Sequence, residues 1–91
     1  MLAVRFAETD PDRLEERARW LAAHRAHLRG GGVTVLQSGS LTAPDGRPAG
    51  GLLVAEVGSL DALRRFSDAD PFVVHGVYGR IRILRWDRTI G

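Results

Sequence analysis

The apolar residues of this chain follow two different periods, and the order of those periods restricts the fold more than any other feature. Near the amino terminus, "LAVRFA" alternates larger apolar residues with others, which predicts a half-buried strand. The next segment carries one apolar helical stripe, formed by Leu14, Ala18, Leu21 and Leu28. In "TDPD" before it, Asp10 or Asp12 is expected to cap this helix, and the glycines at 30–32 must end it.

Two strands, a second helix and a last strand are predicted for the rest of the chain. "VTVLQSGSL" and "GLLVAEV" are typical of strands, and "TAPDGRPAG" between them is rich in turn-forming residues. Ser59 stands in the cap position of a helix that has Leu60, Leu63 and Phe66 at helical spacing. The segment from Gly76 to Trp86 reads as a strand, with Val77, Ile81 and Ile83 on one face and Tyr78, Arg80, Arg82, Leu84 and Trp86 on the other.

The order β-α-β-β-α-β predicts an α+β, ferredoxin-like domain, in which a four-stranded antiparallel sheet carries two helices on one face. The other sheet face stays uncovered. We expect it to contain Leu36 or its neighbours, one set of the "LLVAEV" residues, and Leu84 with Trp86. Because so apolar a face is unfavourable in water, we expect a homodimer that pairs through the sheets.

Length and composition restrict the class of protein. Ninety-one residues, 44% of them apolar, fit one domain over residues 1–91. No apolar run is long enough to span a bilayer, and Arg5 and Glu8 interrupt any signal-peptide core, so we expect a cytoplasmic protein with no membrane partner. The absence of cysteine excludes a thiol nucleophile and a cysteine-based metal site.

The basic residues do not form a nucleic-acid surface. All 13 are arginines, and those near the first helix alternate with acidic residues, which is typical of an ion-paired solvent face. RNA-recognition domains share this strand order but stack bases on aromatic residues of the first and third strands. Here the only aromatic residue of those two strands is Phe6. We therefore expect no nucleic-acid partner.

Three histidines are the side chains best suited to proton transfer near neutral pH. His24 lies at the flank of the apolar stripe, so we expect it at the edge of the core, whereas His27 lies further round and should be exposed. Because no carboxylate follows them in the helical turn, we do not expect His24 and His27 to share a metal. No phosphate-binding loop is present either, since "RGGGV" follows a helix. Neither a metal nor a cofactor is expected.

Asp70 has a simple structural interpretation. An aspartate before Pro71 is the usual cap of a short helix that begins with proline. A histidine at a core edge is, in the same way, more often packed and hydrogen-bonded than catalytic. Spacing and composition alone therefore predict a small ferredoxin-like domain without assigning it a function.

Several segments resemble the YciI-like family, also called the YCII-related domain family. They are "HRAHL", "LQSGS", "DGRPAGGLLVAE", "SLDALRRF" and "DADPFVVHGVYGRIRILRW", in which "DPF" followed by a Gly-Val pair is the most specific signature. The resemblance implies a ferredoxin-like protomer that pairs into a dimeric α/β barrel.

The resemblance also implies an active site. Family members share a histidine of the first helix and an aspartate of the Asp-Pro step in a small cleft, and these fall on His24 and Asp70. An alignment onto His27 competes, but it leaves too little helix before the glycines, so His24 is preferred. The side chains expected to line the cleft are Arg25, Ser40, Phe72, Tyr78 and Trp20, with core packing the stronger interpretation for Phe72 and Trp20.

Two departures from the family pattern affect this cleft. The family usually has Gly-Pro where this chain has Gly39 and Ser40, and many members have a serine where it has Gly50 and Gly51. A hydroxyl that assists in the site is then missing, and Ser38 or Ser40 is the nearest replacement.

A histidine paired with an aspartate is suited to general acid/base chemistry on a small molecule, because the carboxylate fixes the tautomer and leaves one ring nitrogen free. We expect a cofactor-independent lyase, dehydrochlorinase or isomerase. One family branch is a dehydrochlorinase of chlorinated hydroquinones, and related dimeric barrels include muconolactone isomerases and small monooxygenases. The alternative is a non-catalytic domain that binds a small ligand.

Overall fold

The computed structural model describes all 91 residues and has the predicted ferredoxin-like architecture. Its elements are β1 (Leu2–Thr9), a 3-10 turn (Pro11–Arg13), α1 (Leu14–Arg29), β2 (Thr34–Thr42), β3 (Pro48–Glu56), α2 (Leu60–Asp68), α3 (Pro71–Val74) and β4 (Tyr78–Arg85). The strands form one antiparallel sheet in the order β2-β3-β1-β4. The α+β prediction is therefore confirmed. No helix is long and apolar enough to cross a membrane.

Local signals place most helix ends correctly. The Ser59 hydroxyl accepts a hydrogen bond from the Ala62 N–H at 3.1 Å and caps α2. Asp10 also acts as a cap, but it caps the 3-10 turn, and α1 begins only at Leu14 without a side-chain cap. The predicted end of α1 at the glycines is confirmed, since Gly30 is its C-cap residue. The predicted 42–50 loop is too long, because β3 already begins at Pro48.

The helix-facing side of β1 is formed by small or polar residues. Ala3 and Ala7 are fully buried, and Arg5 between them is 2% exposed. Two apolar clusters cover this side. The first is Ala3, Leu53, Ala55, Val57, Leu63 and Phe66, and the second is Ala7, Phe72, Val77 and Tyr78. Arg5 therefore lies between two parts of the core.

The predicted apolar stripe of α1 is only partly correct. Leu21 and Leu28 pack against the two clusters, but Leu14 is 38% exposed and Ala18 is exposed. The only buried residue of the helix is His24, which we expected at the edge of the core. His24 is 8% exposed and therefore lies deeper in the core than we expected, with its ring stacked on Phe72.

Three stacked pairs of an imidazole and an aromatic ring lie at this contact. The ring centroids are 3.9 Å apart for His24 and Phe72, 4.3 Å for His27 and Phe66, and 3.7 Å for Trp20 and His75. The partners of the three α1 rings lie in α2 (Phe66), in α3 (Phe72) and directly after α3 (His75). His27, which we expected to be exposed, is half-buried, and its Nε2 lies 2.8 Å from the Phe66 carbonyl oxygen.

The other sheet face is uncovered and apolar, as predicted. Phe6 pairs with Leu52 across β1 and β3, and these side chains are 38% and 41% exposed. Leu36, Leu84 and Trp86 are also partly exposed.

Tyr78 was predicted on this open face together with Leu84, and that prediction is wrong. The β1–β4 register shifts between Glu8, which pairs with Arg80, and Thr9, which pairs with Tyr78. The intervening Gly79 forms a bulge, and a bulge changes the face on which the next side chain lies. Tyr78 is therefore buried on the helix side.

Candidate active site

A cavity of about 90 Å³ lies between α1 and the sheet. Five of the seven side chains predicted for the site line it, namely His24, Arg25, Ser40, Phe72 and Tyr78. Of the other two, Asp70 contacts His24 and is fully buried. Trp20 does not line the cavity, because its ring stacks on His75. Among the lining residues that the sequence did not point to, two are charged, Arg5 and Arg17.

Asp70 both caps a helix and contacts a histidine. It precedes Pro71, the first residue of α3, and its Oδ1 accepts a hydrogen bond from the Phe72 N–H at 2.9 Å. The same oxygen lies 2.7 Å from Nδ1 of His24, a residue 46 positions away in the chain. The cap and the histidine contact are therefore compatible.

The second carboxylate oxygen of Asp70 meets a buried arginine. Nη1 of Arg5 lies 2.9 Å from Oδ2 of Asp70 and donates to the Ser67 hydroxyl at 3.3 Å. The contact with Oδ2 is an ion pair without hydrogen-bond alignment, since Oδ2 has no hydrogen-bond partner. The Arg5 guanidinium also lies 5.3 Å from the centre of the Tyr78 ring. A usable signal for Arg5 was its position between Ala3 and Ala7, which share its strand face.

The surroundings of Asp70 keep it ionised. Burial alone raises the pKa of this carboxyl, but the hydrogen bonds from His24 and from the Phe72 N–H, together with the charges of His24 and Arg5, lower it further than burial raises it. The net result is a pKa below the ordinary value. An ionised carboxylate only accepts hydrogen bonds, so Nδ1 of His24 must carry a proton.

The His24 ring is held in one orientation. Phe72 stacks on it at an interplanar angle of 4°, and Tyr78 meets it edge to face with the ring centroids 6.0 Å apart. Nδ1 is occupied by Asp70, whereas Nε2 has no hydrogen-bond partner within the chain. With the proton on Nδ1, a neutral His24 presents a basic Nε2 on a ring that lines the cavity.

Tyr78 lies against Gly51, one of the two glycines at which we expected a departure from the family pattern. A Cβ atom built on Gly51 would collide with the Tyr78 hydroxyl and would lie 3.3 Å from Cζ of that ring. Burial raises the pKa of Tyr78, and the Asp70 charge adds to this effect while Arg5 and Arg17 oppose it. The phenol is therefore protonated at neutral pH, and its hydroxyl lies beside Gly51.

The other polar candidates are distributed differently. Ser38 and Ser40 line the cavity from β2, and their side-chain hydroxyls make no hydrogen bond within the chain. His27 binds the Phe66 carbonyl and His75 stacks on Trp20, so neither joins His24. No group of three histidine, cysteine or acidic side chains is placed to hold a metal ion.

Asp70→Asn should change the dependence of stability on pH. Because the folded-state pKa of Asp70 lies below its unfolded value, the carboxylate stabilises the fold above that unfolded value, and this contribution is lost as the pH falls through the folded-state pKa. We expect the variant to lose about 3–5 kcal/mol of unfolding free energy at neutral pH, because Arg5 is left without its buried partner. Its unfolding free energy should also fall less steeply than that of wild type as the pH is lowered.

Urea unfolding between about pH 7 and pH 2 measures this effect. Asp45→Asn is the matched control, since Asp45 pairs with Arg47 on the surface, and it should behave almost as wild type. Parallel curves for wild type and Asp70→Asn would contradict the buried, ionised carboxylate.

Gly51→Ser should displace the Tyr78 ring and cost about 1–3 kcal/mol of unfolding free energy, because the site is already filled. Gly39→Ser is the control on the neighbouring strand, since a Cβ there would meet nothing within 4 Å. Chemical denaturation gives the free energies, and the proton signals of the Tyr78 ring report its position. Equal stability of the two variants would show that residue 51 has room for a side chain.

Known proteins share this sequence pattern and fold. The model of the YCII-related domain matches residues 1–87. Protein YciI of Escherichia coli and that of Shigella flexneri are each 33% identical, over 91% of this chain and 93% of theirs. 5-chloro-2-hydroxyhydroquinone dehydrochlorinase from Burkholderia phenoliruptrix, solved with 2,5-dihydroxybenzoquinone, is 26% identical with a TM-score of 0.87 and covers 98% of this chain and 96% of that one.

A Pseudomonas aeruginosa protein, 16% identical with a TM-score of 0.56 over 98% of this chain and 93% of its own, shares the fold alone. The earlier resemblance is thus confirmed, and the chain belongs to the YCII-related domain family.

Proposed function

We propose that this protein is a cofactor-independent enzyme in which His24 acts as general base and Asp70 orients it. The observation that carries the proposal is the 2.7 Å contact between Nδ1 of His24 and Oδ1 of Asp70, beside a cavity that the His24 ring lines. This contact leaves Nε2 as the atom that takes a proton from a bound molecule. A carboxylate behind the imidazole also stabilises the cation that forms.

The reaction class we propose is elimination or isomerisation at a carbon activated by a neighbouring carbonyl or hydroxyl group. Similarity to the dehydrochlorinase, at 26% identity and a TM-score of 0.87, supports loss of hydrogen chloride as the first reaction to examine. In that reaction the base takes one proton, the electron pair it leaves forms the new double bond, and chloride departs with the electrons of the carbon–chlorine bond. No electron acceptor is required, which suits a site built from acid/base groups.

A second candidate function is binding of a small ligand without turnover. It is favoured by one observation, namely that the Tyr78 hydroxyl and not a serine hydroxyl occupies the space at Gly51. A phenol fixed by packing can hold a ligand oxygen but has less freedom to follow a reacting group than a serine side chain has.

Chloride release from 5-chloro-2-hydroxyhydroquinone by the purified protein distinguishes the two functions. If His24 is the base, His24→Gln should lower the turnover number by about 10²–10⁴-fold, because a positioned proton acceptor is lost. His27→Gln is the control, since His27 binds the Phe66 carbonyl outside the cavity, and it should keep most of the activity.

Equal activity in His24→Gln and wild type would contradict the proposed base. Saturable binding of the compound with no chloride release would favour the second candidate function.

We also propose that the open sheet face pairs two copies of the chain. Its exposed apolar side chains include Phe6, Leu52 and Leu84, on three adjacent strands. Leu52→Glu should shift the protein toward the monomer in sedimentation equilibrium, because the pairing would bury an unpartnered charge. Leu14→Glu, with a similarly exposed leucine on α1, should leave the dimer intact. A wild-type protein that is monomeric at all concentrations would contradict this proposal.

A further inference from the structure

We infer that the cavity selects small planar anions, and that Arg17 holds the negative charge of the ligand beside the Tyr78 hydroxyl. This inference rests on the site of the proposed function and names its ligand class. It does not depend on turnover, because binding of a charged molecule can be measured without any reaction.

The first argument is the balance of charge around the cavity. Arg5, Arg17, Arg25 and His24 line it, and no carboxylate side chain does. Arg5 is neutralised by Asp70, whose oxygen is 2.9 Å away. Arg17 and Arg25 form no ion pair with any carboxylate of the chain, although Arg13 on the preceding turn pairs with Glu16. The cavity therefore has two positive charges without a counterion, and an anion would be attracted to it.

The second argument is where Arg17 lies. Its guanidinium is 6.0 Å from the centre of the Phe72 ring, on which His24 stacks. The Phe72 ring meets the Tyr78 ring edge to face, with the centroids 5.4 Å apart, and both Arg17 and Tyr78 line the cavity. Arg17 and Tyr78 thus face one region of the cavity. A guanidinium and a neutral phenol both donate hydrogen bonds, so this region suits an oxygen anion.

Arg25 has a different position. It is exposed and lies two helical turns beyond Arg17, on the rim of the same cavity. An exposed arginine attracts an anion over a distance but holds it weakly once it is bound, because water and salt screen its charge. We therefore assign retention of the ligand to Arg17 and expect Arg25 to affect mainly the rate of association.

The third argument concerns size and shape. The cavity volume is about 90 Å³, and Leu21, Leu53 and Phe72 supply apolar walls. An engineered cavity of about 150 Å³ holds one benzene molecule, so this cavity admits a short acid or a single ring that lies partly in the open mouth. A flat apolar body with one oxyanion fits both the walls and the charge.

Benzoate and benzamide test the inference, because they have the same shape and differ in charge. Titrations followed by backbone amide signals in two-dimensional NMR should show benzoate binding at least tenfold more tightly than benzamide, as loss of a hydrogen bond to a charged group predicts. The affinity for benzoate should fall as salt is added, and that for benzamide should not.

Arg17→Gln should weaken the binding of benzoate about tenfold or more and leave the affinity for benzamide unchanged. Arg17→Lys should recover part of the lost affinity for benzoate. Arg64→Gln is the control, since Arg64 is exposed on α2 and does not line the cavity. Equal affinities of wild type for benzoate and benzamide, wild-type benzoate binding by Arg17→Gln, or no shift of cavity signals with benzoate would each overturn the inference.

The outcome is separable from that of the proposed function. Selective benzoate binding without any chloride release would sustain the inference and refute catalysis. Chloride release by a protein that binds benzamide as well as benzoate would support catalysis and refute the selection of anions.

Discussion

The rest of the site depends on one buried carboxylate. Oδ1 of Asp70 accepts from the Phe72 N–H and contacts Nδ1 of His24, while Oδ2 lies 2.9 Å from Arg5, so α3, α1 and β1 meet at a single side chain. A buried charge destabilises a fold unless it is paired and hydrogen-bonded, so removal of one partner leaves the remaining charges buried and unpaired. The walls of the cavity are therefore tied to the ionised state of Asp70, and the contacts that stabilise this corner of the fold also fix the orientation of the His24 ring.

The first helix adds a second constraint. Three ring stacks join it to α2, to α3 and to His75, and the pair His24 and Phe72 among them belongs to the cavity. Stacked rings fix the plane of an imidazole more closely than aliphatic packing does, and a fixed ring is what acid/base catalysis needs. At the start of the same helix, Leu14 does not pack into the core and remains partly exposed.

Much of the fold follows from local patterns, and most of the site does not. Strand order, the Ser59 cap and the uncovered sheet face depend on periodicity and on residues close in sequence, so they could be predicted. The His24 and Asp70 pair joins positions 46 residues apart, and only the family resemblance indicated it. Tyr78 was assigned to the wrong face because the bulge at Gly79 shifts the register by one residue, which simple alternation cannot show.

The central claim is that Asp70 sets the tautomer of His24, and ¹⁵N NMR of the imidazole nitrogens measures this directly. At a pH where the ring is neutral, long-range proton–nitrogen correlations distinguish a nitrogen that carries hydrogen from one that does not. We predict hydrogen on Nδ1 and no hydrogen on Nε2 in wild type, and a loss of that preference in Asp70→Asn. Hydrogen on Nε2 in wild type would contradict this prediction, because Nε2, the nitrogen that we propose as the base, could then not accept a proton.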